Sequence, residues 1–302
     1  MRCRVSFALL AISVAPSVVR GQQLEPRAYS QSPVGTNFVG VAYGYSFGQV
    51  LFDPSLPVTD VHAYINSISP GYGRTFGIGG MQGLVTAAIP YIWGNMKGMV
   101  GAKDSMVSRS GIGDLRLKLS LNIIGSPALS PQEFVKTRPH PFVLGASVLV
   151  VAPTGQYDPA HLINIGSHRW SVKPEVGVSY VVDRKLYLDF YTGVWWFGDN
   201  TQYYPGSSTS SQDPMLSLQA HVSYTFNKWF WAALESTWYN GGATSLNGGP
   251  ATGRQDNSRI GAQLSFAITP TQSIKPSYSR GATATFGSRF TTWAIAYQFI
   301  WF

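Results

Sequence analysis

Along much of the chain, apolar and polar residues take turns. Leu115, Leu117, Leu119, Leu121 and Ile123 share one parity, and Arg116, Lys118, Ser120 and Asn122 hold the other. The pattern returns from Trp170 to Val182, where Val172, Val176, Val178 and Tyr180 oppose Ser171, Lys173, Glu175 and Ser179. It returns over Leu216–Phe226 and again over Arg259–Ile268. A period of two puts each set on one face of a β-strand, whereas a helix would scatter it. Read throughout, it predicts an all-β chain of about twelve antiparallel strands, near 36–47, 63–76, 81–93, 113–123, 142–153, 169–182, 186–197, 215–226, 229–239, 258–268, 273–281 and 290–301.

Short turns follow the second, sixth, eighth and tenth of these strands, at Gly77–Gly80, Asp183–Lys185, Asn227-Lys228 and Thr269–Gln272. Long polar loops follow the first, third, fifth, seventh and ninth, among them Asp199–Pro214 and Gly241–Asn257. An even strand count with short turns on one side and long loops on the other is the pattern of a transmembrane β-barrel. Gly125–Pro141 and the last hairpin, near Ala282–Arg289, depart from it. Within the former, Pro131–Val135 reads as a short helix or lid on the periplasmic side.

Alternation alone does not separate a soluble sandwich from a membrane barrel, because each has one apolar face. Aromatic residues at the ends of the apolar faces favour the barrel: Tyr45, Phe47, Tyr91, Trp93, Trp170, Trp196, Tyr224, Phe226, Phe230, Trp238, Trp293 and Trp301. Such rings belong at headgroup level. The apolar faces carry two charges, Arg74 and Arg280, both near strand ends where long side chains reach water. The final strand, Thr292 to Phe302, ends in aromatics, as barrels handed to the assembly machinery commonly do.

Composition narrows the picture further. Of 302 residues, 44% are hydrophobic and only 12% charged, against about 25% charged in an average soluble domain. Mean hydropathy is +0.01, far too low for a bundle of membrane helices. Residues 1–21 read as a cleaved signal peptide: Arg2 and Arg4, an apolar run from Phe7 to Ala15, then Val19 and Gly21 before the cut. The expected organisation is therefore a signal at 1–21, a periplasmic or lumenal segment at 22–35, and an outer-membrane barrel at 36–302. Cys3 lies in the signal, so the mature chain is expected to form no disulfide, thiolate nucleophile or cysteine metal site. Losing Arg2, Arg4 and Arg20 lowers the formal charge from +8 to +5. The basic residues form no run, which argues against nucleic acid as a partner. Outer-membrane lipid, a small-molecule solute and the barrel-assembly machinery are the partners expected.

The faces opposite the apolar ones would line a lumen. They carry Asp114, Arg116, Lys118, Lys173, Glu175, Asp189, Gln219, His221, Glu235, Arg259, Gln263 and Lys275. Lys118, Glu175, Asp189, His221, Glu235, Gln263 and Lys275 are expected near mid-height, forming a charged constriction that selects a solute. The plainer account is that these charges satisfy one another in a narrow barrel, which buried charges require in any case. His221 and Ser223 beside Asp189 and Glu235 admit a hydrolase reading, but no GxSxG elbow occurs and the serine would point away from lipid. The loop aspartates show no calcium-site spacing, and His140, His161 and His168 show none for zinc. No catalytic residue, cofactor or metal is assigned.

Several segments resemble the outer-membrane transporter family named for the MetA pathway of phenol degradation. They are Leu24–Ser30, Pro33-Val34-Gly35, Phe52–Pro57, Gly155–Pro159, Ile163–Gly166, Arg169–Gly177 and Gln255–Arg259. The resemblance covers nearly all of the mature chain. It implies a β-barrel that admits small, often aromatic, compounds down their gradient, without naming the cargo. The alternatives are an outer-membrane lipid hydrolase, or a closed structural or adhesion barrel acting through its outer loops.

Overall fold

A computed structural model describes residues 25–51, 58–100, 103–138 and 140–302. The signal-peptide reading of residues 1–21, residues 22–24 of the following segment and the Phe52–Pro57 motif lie outside the described residues. The elements in chain order are β1 (Asn37–Leu51), β2 (Val58–Ile78), β3 (Met81–Ala88), β4 (Tyr91–Val100), β5 (Lys103–Ile112), β6 (Leu115–Ile124), α1 (Pro131–Lys136), β7 (Phe142–Ala152), β8 (Ser171–Val182) and β9 (Leu186–Phe197). They continue as β10 (Asn200–Tyr203), β11 (Ser208–Gln212), β12 (Met215–Asn227), β13 (Phe230–Gly241), β14 (Thr244–Leu246), β15 (Gln255–Thr269), β16 (Gln272–Thr283) and β17 (Gly287–Trp301).

Every pairing in the wall is antiparallel, and β1 closes the ring by pairing with both β17 and β2. Going round, the wall runs β1-β17-β16-β15-β13-β12-β9-β8-β7-β6-β3-β2, a closed barrel of twelve strands. Closure removes the free edges that lipid could not satisfy. Turn chemistry fits the chain at its tight corners. Gly79 and Gly80, at φ of 56° and 77°, supply the left-handed pair that a two-residue hairpin needs.

The wall is inside out relative to a soluble protein. On β12, Ser217, Gln219, His221 and Ser223 are buried, while Val222 and Tyr224 are exposed. On β13, Glu235 is buried and its neighbour Leu234 is 67% exposed. Apolar side chains facing outward and polar ones inward place lipid outside and a polar lumen within. Trp170, Trp196, Trp229, Trp238, Trp293 and Trp301 are exposed on that outer surface, and Arg74 and Arg280 are exposed near strand ends.

Three expectations about the strands need correction. The third and fourth wall strands do not stop near residues 93 and 113. After a break at Ile89-Pro90 the third continues as β4, and β5 returns to Gly113-Asp114 before β6. A paired hairpin therefore replaces the expected long loop, and with the upper half of β2 it stands above the ring as a hood. In this hood the apolar face switches sides. Val61, Ala63, Ile65, Ile92 and Met96 point inward and are buried, whereas Asn66, Asn95, Lys97 and Ser108 line an outward groove of about 620 Å³. Alternation survives the switch, but a reading that assigns all apolar residues to one lipid face loses the strand there. The long polar loops are also structured: β10, β11 and β14 pair into a small separate sheet.

The helical expectation at Pro131–Val135 is met by α1. Ser130 Oγ accepts from the Glu133 amide, and Glu133 Oε2 accepts from the Ser130 amide at 2.9 Å, a closed capping box.

Candidate functional site

The lumen is filled from two directions. From below, residues 25–35 enter the barrel before β1 begins. Lys118 Nζ donates to Glu25 Oε2 at 2.5 Å. Arg27 donates through its backbone to Asp189 Oδ2 (3.1 Å), through Nε to Ser223 Oγ (2.7 Å), and through Nη2 to Thr225 Oγ1 (2.8 Å). Its guanidinium lies over the rings of Tyr187 and Trp231, at 3.9 and 4.5 Å. Such stacking adds roughly 0.5–2 kcal/mol per contact. Ser32 then donates to Gln82 Oε1, and Gly35 to the Thr75 carbonyl, before the chain joins β1.

Tyr29 anchors this plug. Its ring is 1% exposed and meets Tyr191 edge-on, with centroids 5.2 Å apart. Its hydroxyl donates to Glu175 Oε1 at 3.3 Å and lies 3.1 Å from Ser147 Oγ. The space comes from Gly145 on β7 and Gly177 on β8, which are register partners. A Cβ on either glycine would lie 2.1 Å from the Tyr29 ring. These two glycines therefore form a slot in the wall that one flat ring occupies.

From above, the segment between β7 and β8 folds onto the inner face of the hood. Ile163 and Ile165 pack on the cluster of Val50, Val61, Ala63, Ile65, Ile92, Met96 and Phe290. Asp114 holds that segment, accepting from the amides of Gly155 and Ser167, each at 2.9 Å. Asp114 thus belongs to the rim, in the break between β5 and β6. Nearby, Arg169 donates to Gln212 and stacks on Phe197. Burial pushes its guanidinium down to about 10, with Asp199, Tyr203 and Asp114 pulling the other way.

The remaining expected residues divide into groups. Lys173 Nζ donates to Glu175 Oε2 at 2.6 Å, and Gln219 Nε2 donates to the same oxygen at 3.2 Å. Ser179 donates to Asp189. His221 is fully buried, its Nδ1 3.5 Å from Glu235 Oε2, and its ring tilts against Tyr191. Glu175, Asp189, Gln219, His221 and Glu235, with Lys118 and Lys173, therefore gather around the plug. Arg259 stands apart, donating to Ser279 and Thr292, and Lys275 donates to Gln298 at 2.6 Å. Gln263 is half-buried between its register partners Ala233 and Ser277, and Arg116 sits at the upper end of β6 opposite Ala88 and Val151.

Several polar atoms of β12 and β13 are enclosed on the inner face. Both ring nitrogens of His221, Glu235 Oε2, Gln219 Oε1 and Thr237 Oγ1 are buried yet make no hydrogen bond to another described residue. Leaving such groups wholly unmet would cost about 1–3 kcal/mol each, and the approach of His221 Nδ1 to Glu235 Oε2 at 3.5 Å offsets part of that. Among the described residues, no three His, Cys, Asp or Glu side chains gather as a metal site.

The sequence places residues 22–35 in the periplasm or the lumen but does not reveal the seats of Glu25, Arg27 and Tyr29. Gly145, Gly177 and Tyr191 carry no charge and read as ordinary strand positions. Ile163 and Ile165 were missed as well, because a loop gives no periodicity to read.

Comparison with known proteins bears on this architecture. The family described as "Putative MetA-pathway of phenol degradation" matches residues 35–299. No curated protein sequence matches the chain. Among solved structures, an outer membrane channel from Pseudomonas putida F1 is similar at a TM-score of 0.77 and 19% identity, covering 92% of this chain and 100% of that one. The transport unit of the autotransporter AIDA-I from Escherichia coli follows at 0.52 and 11%, covering 92% and 93%. The β domain of the Bordetella autotransporter BrkA gives 0.53 and 10%, covering 88% and 99%. All three are far below 25% identity, and what they share with this chain is the barrel fold.

Proposed function

We propose that this chain, which belongs to the family described as a putative MetA-pathway of phenol degradation, is a passive outer-membrane channel for small aromatic or hydrophobic molecules. The observation that carries the reading is the polar and charged inner face of a closed twelve-strand wall, where Glu175, His221 and Glu235 gather beside the plug. A barrel that served only as a scaffold would gain stability by pairing these groups or replacing them with apolar ones. Above these groups, the apolar inner face of the hood is covered by Ile163 and Ile165. No nucleotide motif occurs in the sequence, and transport along the solute gradient needs none.

The hydrolase alternative fares worse on the same geometry. Ser223 faces the lumen and accepts a hydrogen bond from Arg27, and His221 lies inward at 1% exposure. Neither reaches the lipid-facing rim, where an acyl ester would sit.

The test is flux through proteoliposomes that hold the refolded chain, comparing a small aromatic acid with a disaccharide. Protein-dependent entry of the aromatic compound that outpaces the sugar supports the channel. Entry no faster than in empty liposomes would sink it.

A further inference from the structure

We infer that the slot holding Tyr29 is a phenol-recognising subsite of the lumen, for which solutes bearing a phenolic ring compete with the plug. The inference rests on the channel reading above and adds to it a ligand class and a means of opening.

The occupant itself is the strongest argument. The Tyr29 side chain ends in a phenol, held as a ligand would be held. Gly145 and Gly177 clear the space for a flat ring, since a Cβ on either would fall 2.1 Å from it. Tyr191 presents an edge to that ring at 5.2 Å, a favoured aromatic geometry. Val143 belongs to the same buried cluster. At the far end, the Glu175 carboxylate accepts from the hydroxyl at 3.3 Å, and Ser147 Oγ lies 3.1 Å from the same oxygen. The site therefore specifies both a ring and a hydroxyl donor at one end of it. A site built to bond a hydroxyl rejects analogues that lack one, because its polar groups are then left unmet.

The competition has a defined scale. Tyr29 is tethered, and a short tether holds its end at an effective concentration in the millimolar range. The ion pair of Glu25 with Lys118 and the contacts of Arg27 add to that hold. A free phenol should therefore act at about millimolar concentration or above, as a solute present in abundance would.

The test uses p-cresol, which is the tyrosine side chain cut at its Cβ, with toluene as the match lacking the hydroxyl. In planar bilayers, p-cresol should raise the conductance of the wild-type channel by displacing Tyr29. In Tyr29→Gly, where the slot is vacated, conductance should start higher and p-cresol should lower it saturably. Toluene should be weaker by about tenfold or more, the effect of one hydrogen bond to a charged acceptor. Adding Gly177→Ala to Tyr29→Gly should abolish the p-cresol response.

Binding is read separately in detergent, as a saturable rise in the heat-unfolding temperature of Tyr29→Gly with p-cresol. That rise requires no conduction, so it tests the slot even if the channel reading fails. Should Tyr29→Gly not fold by heat-modifiable gel migration, Tyr29→Ala replaces it. Equal responses to p-cresol and toluene in both proteins, or a wild-type channel indifferent to p-cresol, would overturn the inference.

Discussion

Strand β2 passes through two solvents, and its side chains record the change. In its lower part Ile68 and Tyr72 face outward and are exposed, while Thr75 faces inward and is buried. In its upper part the outward residues are Asp60, His62, Tyr64 and Asn66, and the inward ones are Val61, Ala63 and Ile65. The lower part is a membrane wall around a polar lumen. The upper part, with β4 and β5, has an apolar interior like a soluble protein, and its outer face mixes polar groups with exposed Tyr64 and Trp93. One strand follows both rules because the face that must be apolar depends on what lies outside it. The hood's apolar interior also gives the barrel a mouth unlike its middle, where Lys118, Glu175, His221 and Glu235 surround the plug.

This contrast can be attacked from both ends. The largest expected effect is from Ile65→Asp, which buries an unpaired carboxylate among Ala63, Ile92 and Met96. It should cost about 3 kcal/mol or more and loosen the hood. The sign is proteolysis of the β4–β5 hairpin while the barrel still migrates as a folded species.

Next comes the lipid face. Leu234→Lys places a cation on the outward surface of β13 and should cost roughly 2–4 kcal/mol if the site lies near the bilayer midplane. Ser110→Lys, outward on the hood, should stay within about 0.5 kcal/mol. Urea unfolding in lipid vesicles compares the two. Equal costs would mean that the hood also meets lipid.

A smaller stability effect with a larger functional one is expected for Lys118→Ala, which leaves Glu25 without its cation. Conductance should rise because the plug is held less firmly, and Lys118→Arg should restore much of the wild-type behaviour. If Lys118→Ala conducts like the wild type, the ion pair does not hold the plug.

The smallest effect lies outside the membrane, at α1. The Ser130 hydroxyl and amide hold the Glu133 carboxyl below the usual carboxylate range. A carboxyl depressed in the folded state supports structure above its unfolded pKa and stops doing so as pH falls through its folded value. Amide protection over residues 130–137, taken relative to the intrinsic exchange rate at each pH, should therefore fall on acidification through that range, and Ser130→Ala should remove that change. The barrel strands should not respond.

How far the sequence revealed this molecule follows the same boundary. Where lipid lies outside, as at Leu115–Ile123 and Trp170–Val182, alternation located the strands, and the aromatics at their ends told lumen from lipid. Above Ser67 the parity of apolar residues inverts, and the hood went unread. The charged lumen residues were legible one at a time, since each stands opposite an apolar face. Their grouping was not, because barrel closure brings Lys118 to Glu25 and Asp189 to Arg27 across 93 and 162 residues. Gly145 and Gly177 were silent for a different reason: an empty space in the wall has no signature until its occupant is known.

The central claim is that a water-filled path runs through this barrel and that residues 25–34 restrict it. Single-channel recording of the wild-type protein beside a variant lacking residues 25–34 tests it most directly, with heat-modifiable migration showing that both are folded. Small, discrete wild-type openings that grow several-fold in the deletion are the predicted result. Two folded proteins with the same conductance, or with none, would contradict the claim.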